Sequence, residues 1–156
     1  MRRSERLAEL NRVSRQYLAS YVLFNQSVAD RLGMHPTDVQ CLNLLTLAAE
    51  PRTTGQIAEL TGLTSGSATR LVDRLERAGY VRRERDTQDR RKVLVHLVED
   101  RIADFGRLWA ELSAGWDAIF DGYTEKELTF LVRHMRRTIE LGAAQRERLG
   151  SASACG

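Results

Sequence analysis

The sequence has little of what membrane, secreted and metal-binding proteins depend on. No stretch approaches the roughly 18 uninterrupted apolar residues of a membrane-spanning helix, and the opening Met-Arg-Arg-Ser-Glu-Arg-Leu leads into no apolar signal-peptide core. The two cysteines, Cys41 and Cys155, have neither the number of a disulfide framework nor the paired spacing of a zinc site. We therefore expect a cytoplasmic protein with no cofactor, no metal and no membrane partner.

Catalytic groupings are equally scarce. The three histidines, His35, His96 and His134, converge with no serine, cysteine or acidic residue in a pattern typical of nucleophilic catalysis. The sequence contains no GxxxxGK[ST] or GxGxxG phosphate loop and no HExxH motif. A binding protein is therefore favoured over an enzyme.

Positive charge is present, but it is concentrated in one segment. The chain of 156 residues has 24 basic and 21 acidic side chains, a formal net charge of +3. Residues 82–92 hold six basic and three acidic side chains, so their excess of three equals that of the whole chain. Such a run is ordinarily a solvated loop, and only its neighbours favour a nucleic-acid-binding surface.

Hydrophobic periodicity predicts helices on both sides of this segment. Residues 5–32 form an amphipathic helix with Ser4 as N-cap and Gly33 as its end, and a second helix starts at His35-Pro36 and closes before Pro51. Two further helices are predicted over 100–121 and 124–147, the latter with Thr124 and Glu127 at capping-box spacing. The inward residues of the second helix are Val39, Leu42, Leu45 and Leu47.

The first and last helices carry more apolar surface than a central module of about 65 residues could cover. Packing these helices against a second copy of the chain would bury both stripes, so we expect a symmetric homodimer. A monomeric helical bundle is the alternative. The predicted organisation is a dimerisation helix (1–34), a central lobe (35–98), two dimerisation helices (99–148) and a disordered tail (149–156), all within one domain.

Residues 53–75 have the spacing of a helix-turn-helix. Ala58 is small where two helices would cross, and Gly62 suits a turn that needs positive φ. Thr64 or Ser65 would cap the second helix, and Gly79 would end it. The inward residues of this second helix are Ala68, Leu71, Val72 and Leu75.

The outer face of that second helix consists of small hydroxyl and basic residues. Such a helix can enter the major groove, where its side chains reach base edges and its N-terminal amides reach phosphate. An ordinary capped surface helix is the alternative. The predicted major-groove residues are Ser65, Ser67, Thr69, Arg70 and Arg74.

Alternating Val93, Val95 and Leu97 complete a two-stranded hairpin with the segment that starts at Tyr80-Val81. Its basic stem would lie along the minor groove, where a narrow and strongly negative groove suits arginine. The acidic residues at its tip, Asp86 and Asp89, are interpreted as props that hold arginine guanidinium groups in a fixed pose. The predicted wing contacts are Arg85, Arg90, Arg91 and Lys92.

Over nearly its whole length the chain resembles the MarR family of bacterial regulators. The resemblance rests on the long first helix, on His35-Pro36, on residues 71–81 (LVDRLERAGYV) and above all on residues 86–91 (DTQDRR) before a hydrophobic strand. It implies a dimeric winged helix-turn-helix, mainly α with a small β-hairpin, in which Arg91 enters the minor groove and Asp89 orients it. It also implies that Ser65, Ser67, Thr69 and Arg70 form the major-groove face.

One segment departs from the family pattern. Family members usually follow the second wing strand with Leu-Thr, two variable residues and Gly, whereas this chain has Leu97-Val98-Glu99-Asp100-Arg101. The usual threonine cap is missing, and Glu99 or Asp100 would replace it.

We therefore expect a sequence-specific regulator of transcription, acting as a repressor on a pseudo-palindromic operator in double-stranded DNA. The expected input is a small aromatic or lipophilic ligand, with Tyr17, Phe24 and Trp109 as wall residues unless they are ordinary core aromatics. A thiol switch at Cys41 is one alternative, although redox-sensing relatives usually carry the cysteine in the first helix. A winged-helix module that binds only protein is another, and would favour an acidic or apolar face.

Overall fold

The computed structural model describes residues 2–48 and 50–153, and the chain divides into two compact units, Met1–Arg101 and Ile102–Gly156. The first unit holds most of the secondary structure and the start of a helix that continues into the second. In chain order the elements are α1 (Arg3–Leu32), α2 (Pro36–Thr46), β1 (Arg52–Thr53), α3 (Thr54–Thr61), α4 (Ser65–Arg77), β2 (Val81–Arg85), β3 (Val93–Leu97), α5 (Glu99–Asp117), a 3-10 turn (Ala118–Phe120) and α6 (Glu125–Ser153).

Helix α1 ends and helix α2 begins where the sequence predicts, whereas the start of α1 differs. Gly33 adopts φ 63° and closes α1, and Pro36 occupies the first position of α2. His35 caps α2, since its ring Nδ1 accepts the backbone N–H of Thr37 at 3.3 Å. The N-cap of α1 is Arg2 and not Ser4, because Arg2 and Glu5 bond each other across the first turn.

The core of the first unit lies between α2, α3, α4 and the sheet. Leu47 was expected to point inward but is 84% exposed, because α2 ends at Thr46 and the helical repeat stops there. Only the C-terminal end of α1 contributes buried side chains, from Asn25, Val28 and Ala29. The largest fully buried apolar side chains elsewhere in this unit are Val39, Leu42, Ile57, Leu71, Val72, Leu75 and Val81.

The sheet has three antiparallel strands in the order β1-β3-β2. Arg52 of β1 and Arg83 of β2 both lie opposite Val95, which is buried. The predicted hairpin is therefore correct but incomplete. Strand β1 has only two residues, too few for an alternating pattern, and only its pairing with β3 makes it a strand.

In the second unit, Phe105 is buried and its ring stacks on that of Trp109, with 6.1 Å between the ring centroids. The predicted capping box of α6 is present: Thr124 N–H donates to Glu127 at 2.8 Å, and Thr124 Oγ1 accepts the Glu127 N–H at 3.4 Å. The bond from the Thr124 backbone lowers the pKa of Glu127. Helix α6 continues to Ser153, whereas 149–156 was predicted to be disordered; residues 154–156, with Cys155, lie outside the described residues.

Candidate nucleic-acid interface

Helices α3 and α4 form the predicted helix-turn-helix. Thr53 caps α3 reciprocally with Gln56, through bonds of 2.9 and 3.2 Å. Gly62 adopts φ 71° in the turn, a conformation that favours glycine. Thr64, and not Ser65, caps α4 by accepting the Ser67 N–H at 3.3 Å.

The N-terminal half of α4 presents hydroxyl groups and one guanidinium outside the stripe of side chains that it buries. Thr69 Oγ1 donates to the Ser65 carbonyl at 2.9 Å, and Arg70 Nη2 donates to Ser67 Oγ at 3.2 Å. Ser65, Thr69 and Arg70 are exposed and Ser67 is half-buried. Sequence reasoning missed Gly66, an exposed residue on this turn where an added Cβ would meet nothing within 4 Å. The structure thus brings together four of the five predicted major-groove residues.

Arg74, the fifth, points to another partner. Its guanidinium forms a fork with Asp38 of α2, with Nε–Oδ2 and Nη2–Oδ1 distances of 2.9 and 2.6 Å. The Asp38 side chain is only 4% exposed, and its hydrogen bond raises the pKa of Arg74. The fork joins α4 to α2 and neutralises a buried carboxylate, and a contact of Arg74 with the major groove stays a prediction.

A second ion-pair cluster joins α4 to the wing and was missed from the sequence. Arg83 on β2 contacts Asp73 at 2.7 Å and Glu76 at 2.5 Å, and its backbone N–H donates to Glu76 at 3.0 Å. Burial lowers the pKa of Arg83, but the bonds to Asp73 and Glu76 outweigh it and raise the pKa overall. The available signal was the pair of acidic residues three apart on α4.

The tip of the wing is held by its two aspartates through the backbone. Asp86 Oδ1 accepts the Gln88 N–H at 2.9 Å, and Asp89 Oδ1 accepts the Arg91 N–H at 3.1 Å. The prediction that they hold arginine guanidinium groups is therefore wrong in its detail. Their short side chains bond amides two residues on, which shapes the turn, and Asp89 lies 3.9 Å from the Lys92 ammonium.

The basic side chains of the wing separate into paired and unpaired groups. Arg82 contacts Glu84 at 2.6 Å, and His96 lies 3.7 Å from the same carboxylate. Within residues 2–48 and 50–153, Arg85, Arg90 and Arg91 make no ion pair, and all three are exposed. The unpaired cations of the run 82–92 therefore gather at the end of the hairpin.

The predicted ligand residues are distributed over both units. Tyr17 is 51% exposed and Phe24 is half-buried on α1 in the first unit, whereas Trp109 belongs to the second. A pocket that they line together stays a prediction. In the described part of the chain, no cluster of three His, Cys, Asp or Glu side chains is suited to a metal ion, and no helix has the length and apolarity needed to cross a membrane.

Cys41 is fully buried in α2. Burial first, and the Asp38 carboxylate second, raise the pKa of its thiol to about 12. Because the thiolate is the reactive form, these surroundings argue against a thiol switch at this residue.

Comparisons with known proteins agree with this geometry. The model of the MarR family matches residues 32–92. The chain is 38% identical to the uncharacterized HTH-type transcriptional regulator YcgE of Bacillus subtilis (strain 168) over 82% of each chain. Its fold is similar to a MarR family protein from Bacillus stearothermophilus, with a TM-score of 0.69, 21% identity and 90% and 97% of the two chains covered. It is also similar to NadR in complex with 4-hydroxyphenylacetate, with a TM-score of 0.66, 18% identity and 83% and 91% covered.

Proposed function

Because this chain belongs to the MarR family of helix-turn-helix transcriptional regulators, we propose that it is a homodimeric repressor that binds a pseudo-palindromic operator in double-stranded DNA. The observation that carries the proposal is the set of exposed hydroxyl and arginine side chains on α4, from Ser65, Thr69 and Arg70, beside a wing whose terminal arginines have no ion-pair partner among the described residues. An acidic or apolar face, suited to a protein partner, is not what α4 presents.

The N-terminal half of α4 reads the major groove. Its short side chains let the backbone approach the base edges closely, and Gly66 keeps the first turn free of bulk. Serine and threonine hydroxyls contact several bases, whereas an arginine fork selects guanine. Arg70 therefore carries most of the base selectivity, and the amides of the first turn contact phosphate.

The wing contacts the neighbouring minor groove. Arg91 enters the groove, while Arg85, Arg90 and Lys92 neutralise phosphates along its edge. Asp89 supports this by bonding the Arg91 amide at 3.1 Å, which fixes the backbone and leaves the guanidinium unengaged. The carboxylates at the tip therefore shape the loop without cancelling the charge of Arg91.

Two copies of the chain associate through their terminal helices. The N-terminal two thirds of α1 leave a stripe of apolar side chains 40–61% exposed: Leu7, Leu10, Val13, Tyr17, Leu18, Tyr21 and Val22. In the second unit, α6 has exposed apolar side chains of its own at Phe130, Val132, Met135 and Ile139. Contiguous exposure on this scale is typical of an interface. A two-fold dimer would offer two α4 helices to successive major grooves, about 34 Å apart.

A small aromatic ligand modulates the affinity for DNA. The proposal is supported by the similarity to NadR, which is described in complex with 4-hydroxyphenylacetate, and by aromatic side chains on α1 and α5. Tyr17, Phe24 and Trp109 remain the proposed walls. Such a ligand lowers affinity only if it binds better to a conformer whose two α4 helices are wrongly spaced for the operator.

Selection from a random-sequence duplex library tests the DNA-binding proposal directly. We expect the purified chain to enrich a pseudo-palindromic sequence, and fluorescence anisotropy to give an affinity for it about 1000-fold or more above that for unrelated duplex. Failure to enrich any sequence, with the chain folded by circular dichroism, would contradict the proposal. Titration of the complex with 4-hydroxyphenylacetate then tests the ligand separately.

A further inference from the structure

The C-terminal end of α4 is held by an arginine from another element. Arg101, in the first turn of α5, donates from Nη2 to the carbonyl of Ala78 at 3.2 Å. The same guanidinium lies over the ring of Tyr80, with 5.0 Å from Cζ to the ring centroid. Ala78 is the C-cap of α4 and Tyr80 directly precedes β2. The Arg101 side chain therefore contacts the segment that connects the helix to the wing.

Three physical features make this grip more than a surface contact. The carbonyls at a helix C-terminus carry partial negative charge and lack helical partners, so a cationic donor is well matched to them. Gly79 lies between Ala78 and Tyr80 and adopts φ 79°. A Cβ added at this glycine would lie 3.8 Å from Arg101 Nε. Tyr80 is 8% exposed, so the ring under the guanidinium is itself fixed by the core.

Arg101 completes a set of arginine contacts along the C-terminal half of α4. Arg74 ties the middle of the helix to Asp38, and Arg83 ties Asp73 and Glu76 to the wing. The backbone N–H groups of Ala78, Gly79 and Tyr80 bond the carbonyls of Arg74, Glu76 and Leu75, and Arg101 adds a bond to the next carbonyl along the chain that is shown to accept one, that of Ala78. The N-terminal half, which we assign to base reading, makes no ion pair within the described residues.

We propose that Arg101 is a positioning residue for DNA binding: from the first turn of α5 it fixes the C-terminal end of the recognition helix, and through it the angle at which the N-terminal half enters the groove. Arg101 acts without touching DNA. Because Arg101 belongs to α5, a shift of the first turn of α5 would also shift the C-terminal end of α4. The inference rests on the proposed function of α4.

The test uses the full chain and the duplex that the wild-type protein enriches from a random library. Arg101→Met keeps the length of the side chain and removes its charge and donors; we expect DNA affinity to fall about 3- to 10-fold with an unchanged fold. Arg101→Lys, which keeps a cation near the ring and the carbonyl, recovers at least half of that loss on a logarithmic scale. Arg107→Met, which removes an exposed arginine paired with Asp104 on the same helix, is the matched control and leaves affinity unchanged.

Two further measurements separate positioning from other roles. Hydrogen exchange of the amides of residues 77–80 should accelerate in Arg101→Met, since the end of α4 is released. The slope of log affinity against log salt should equal that of wild type. A slope smaller by about 1.8, which is about 0.9 for each protomer of the dimer, would mean that Arg101 contacts phosphate and would overturn the proposal. Unchanged affinity of Arg101→Met, or an equal loss in Arg101→Lys, would also overturn it. If the wild-type chain enriches no duplex, it is the proposed function that fails.

Discussion

Arg74 and Arg91 show how neighbours decide what an arginine does. Both were predicted to contact DNA, yet Arg74 is engaged by a buried carboxylate and Arg91 is exposed with its guanidinium unpaired among the described residues. The amino-acid type is identical, so the difference comes from Asp38, which lies 36 positions away from Arg74. Whether an arginine of this chain is available to DNA therefore depends on whether a carboxylate lies within reach of its guanidinium.

Arg91→Ala should weaken binding to the enriched duplex about tenfold, because a cation in the minor groove is lost. Folding should be unaffected, since the backbone N–H of residue 91 can still donate to Asp89. Fluorescence anisotropy measures the change, and a thermal melt checks the fold. Arg107→Ala removes the same charge outside the DNA-binding lobe and serves as control. Equal affinities for Arg91→Ala and wild type would contradict the assignment of the wing.

Arg74→Met should instead lower stability. It leaves the Asp38 carboxylate, 4% exposed, without its partner, which we expect to cost about 2 kcal/mol. The figure is below that of a fully buried pair because Arg74 itself is 39% exposed and partly screened by solvent. Urea denaturation measures it. The double variant Asp38→Asn with Arg74→Met should recover part of the loss, and no loss in the single variant would show that the fork is dispensable.

Cys41 should resist alkylation in the native protein. Its thiol pKa is raised to about 12 by burial and by Asp38, so the reactive thiolate is scarce at neutral pH. The same shift destabilises the fold at high pH: above the ordinary thiol pKa, near 8.5, the unfolded chain releases the proton while the native chain retains it until about pH 12. Mass spectrometry after iodoacetamide treatment, with and without urea, measures the protection. Rapid native modification, or release of DNA by peroxide, would restore the thiol-switch hypothesis.

At the scale of elements, α1 combines two surfaces in one helix. Its C-terminal end supplies Asn25, Val28 and Ala29 to the core, whereas the apolar side chains before them are exposed. Deleting the whole helix would therefore damage the lobe as well as any interface. Point substitutions in the exposed part separate the two effects.

Leu7→Glu combined with Leu10→Glu should convert a dimer to monomers, because two carboxylates would enter the proposed apolar interface. Analytical ultracentrifugation measures the change. Arg12→Glu with Gln16→Glu adds at least as much negative charge on the opposite, polar face of α1 and should leave the dimer intact. A double leucine variant that stays dimeric would place the interface elsewhere.

For the whole molecule, the placement of charge matters more than its total. The net charge of +3 is small, and ion pairs of Arg74, Arg82 and Arg83 consume part of the basic content of the lobe. Among the described residues of the lobe, the exposed arginines that make no ion pair include Arg70 on α4 and Arg85, Arg90 and Arg91 at the end of the wing. The chain can therefore attract DNA at one surface while its overall charge stays near neutral.

Binding of the enriched duplex should weaken steeply with salt. With Arg85, Arg90 and Lys92 on phosphates in each protomer, a dimer would make about six such contacts and give a slope of log affinity against log salt of about −5. Anisotropy titrations over a range of potassium chloride concentrations measure it. A slope near zero would indicate that an apolar interface dominates, and would contradict the assignment of these three cations.

Much of the fold followed from local patterns in the sequence. The helix ends at Gly33 and Gly62, the caps of Thr64 and Thr124, the alternation of Val93, Val95 and Leu97, and the hydroxyl face of α4 all depend on residues a few positions apart, and periodicity or backbone geometry makes them readable. The wing motif and the family resemblance followed from the same short stretches.

Tertiary structure decided what depended on residues far apart in the chain. The pairing of Arg74 with Asp38, the contacts of Arg83 with Asp73 and Glu76, the grip of Arg101 on Ala78, and strand β1 all join different elements. A charged side chain looks the same in a sequence whether it is free or neutralised, since the ion pair exists only once folding brings its partner within about 3 Å. Local sequence patterns therefore show which segment carries the positive charge, whereas the fold decides which of those charges remain available to DNA.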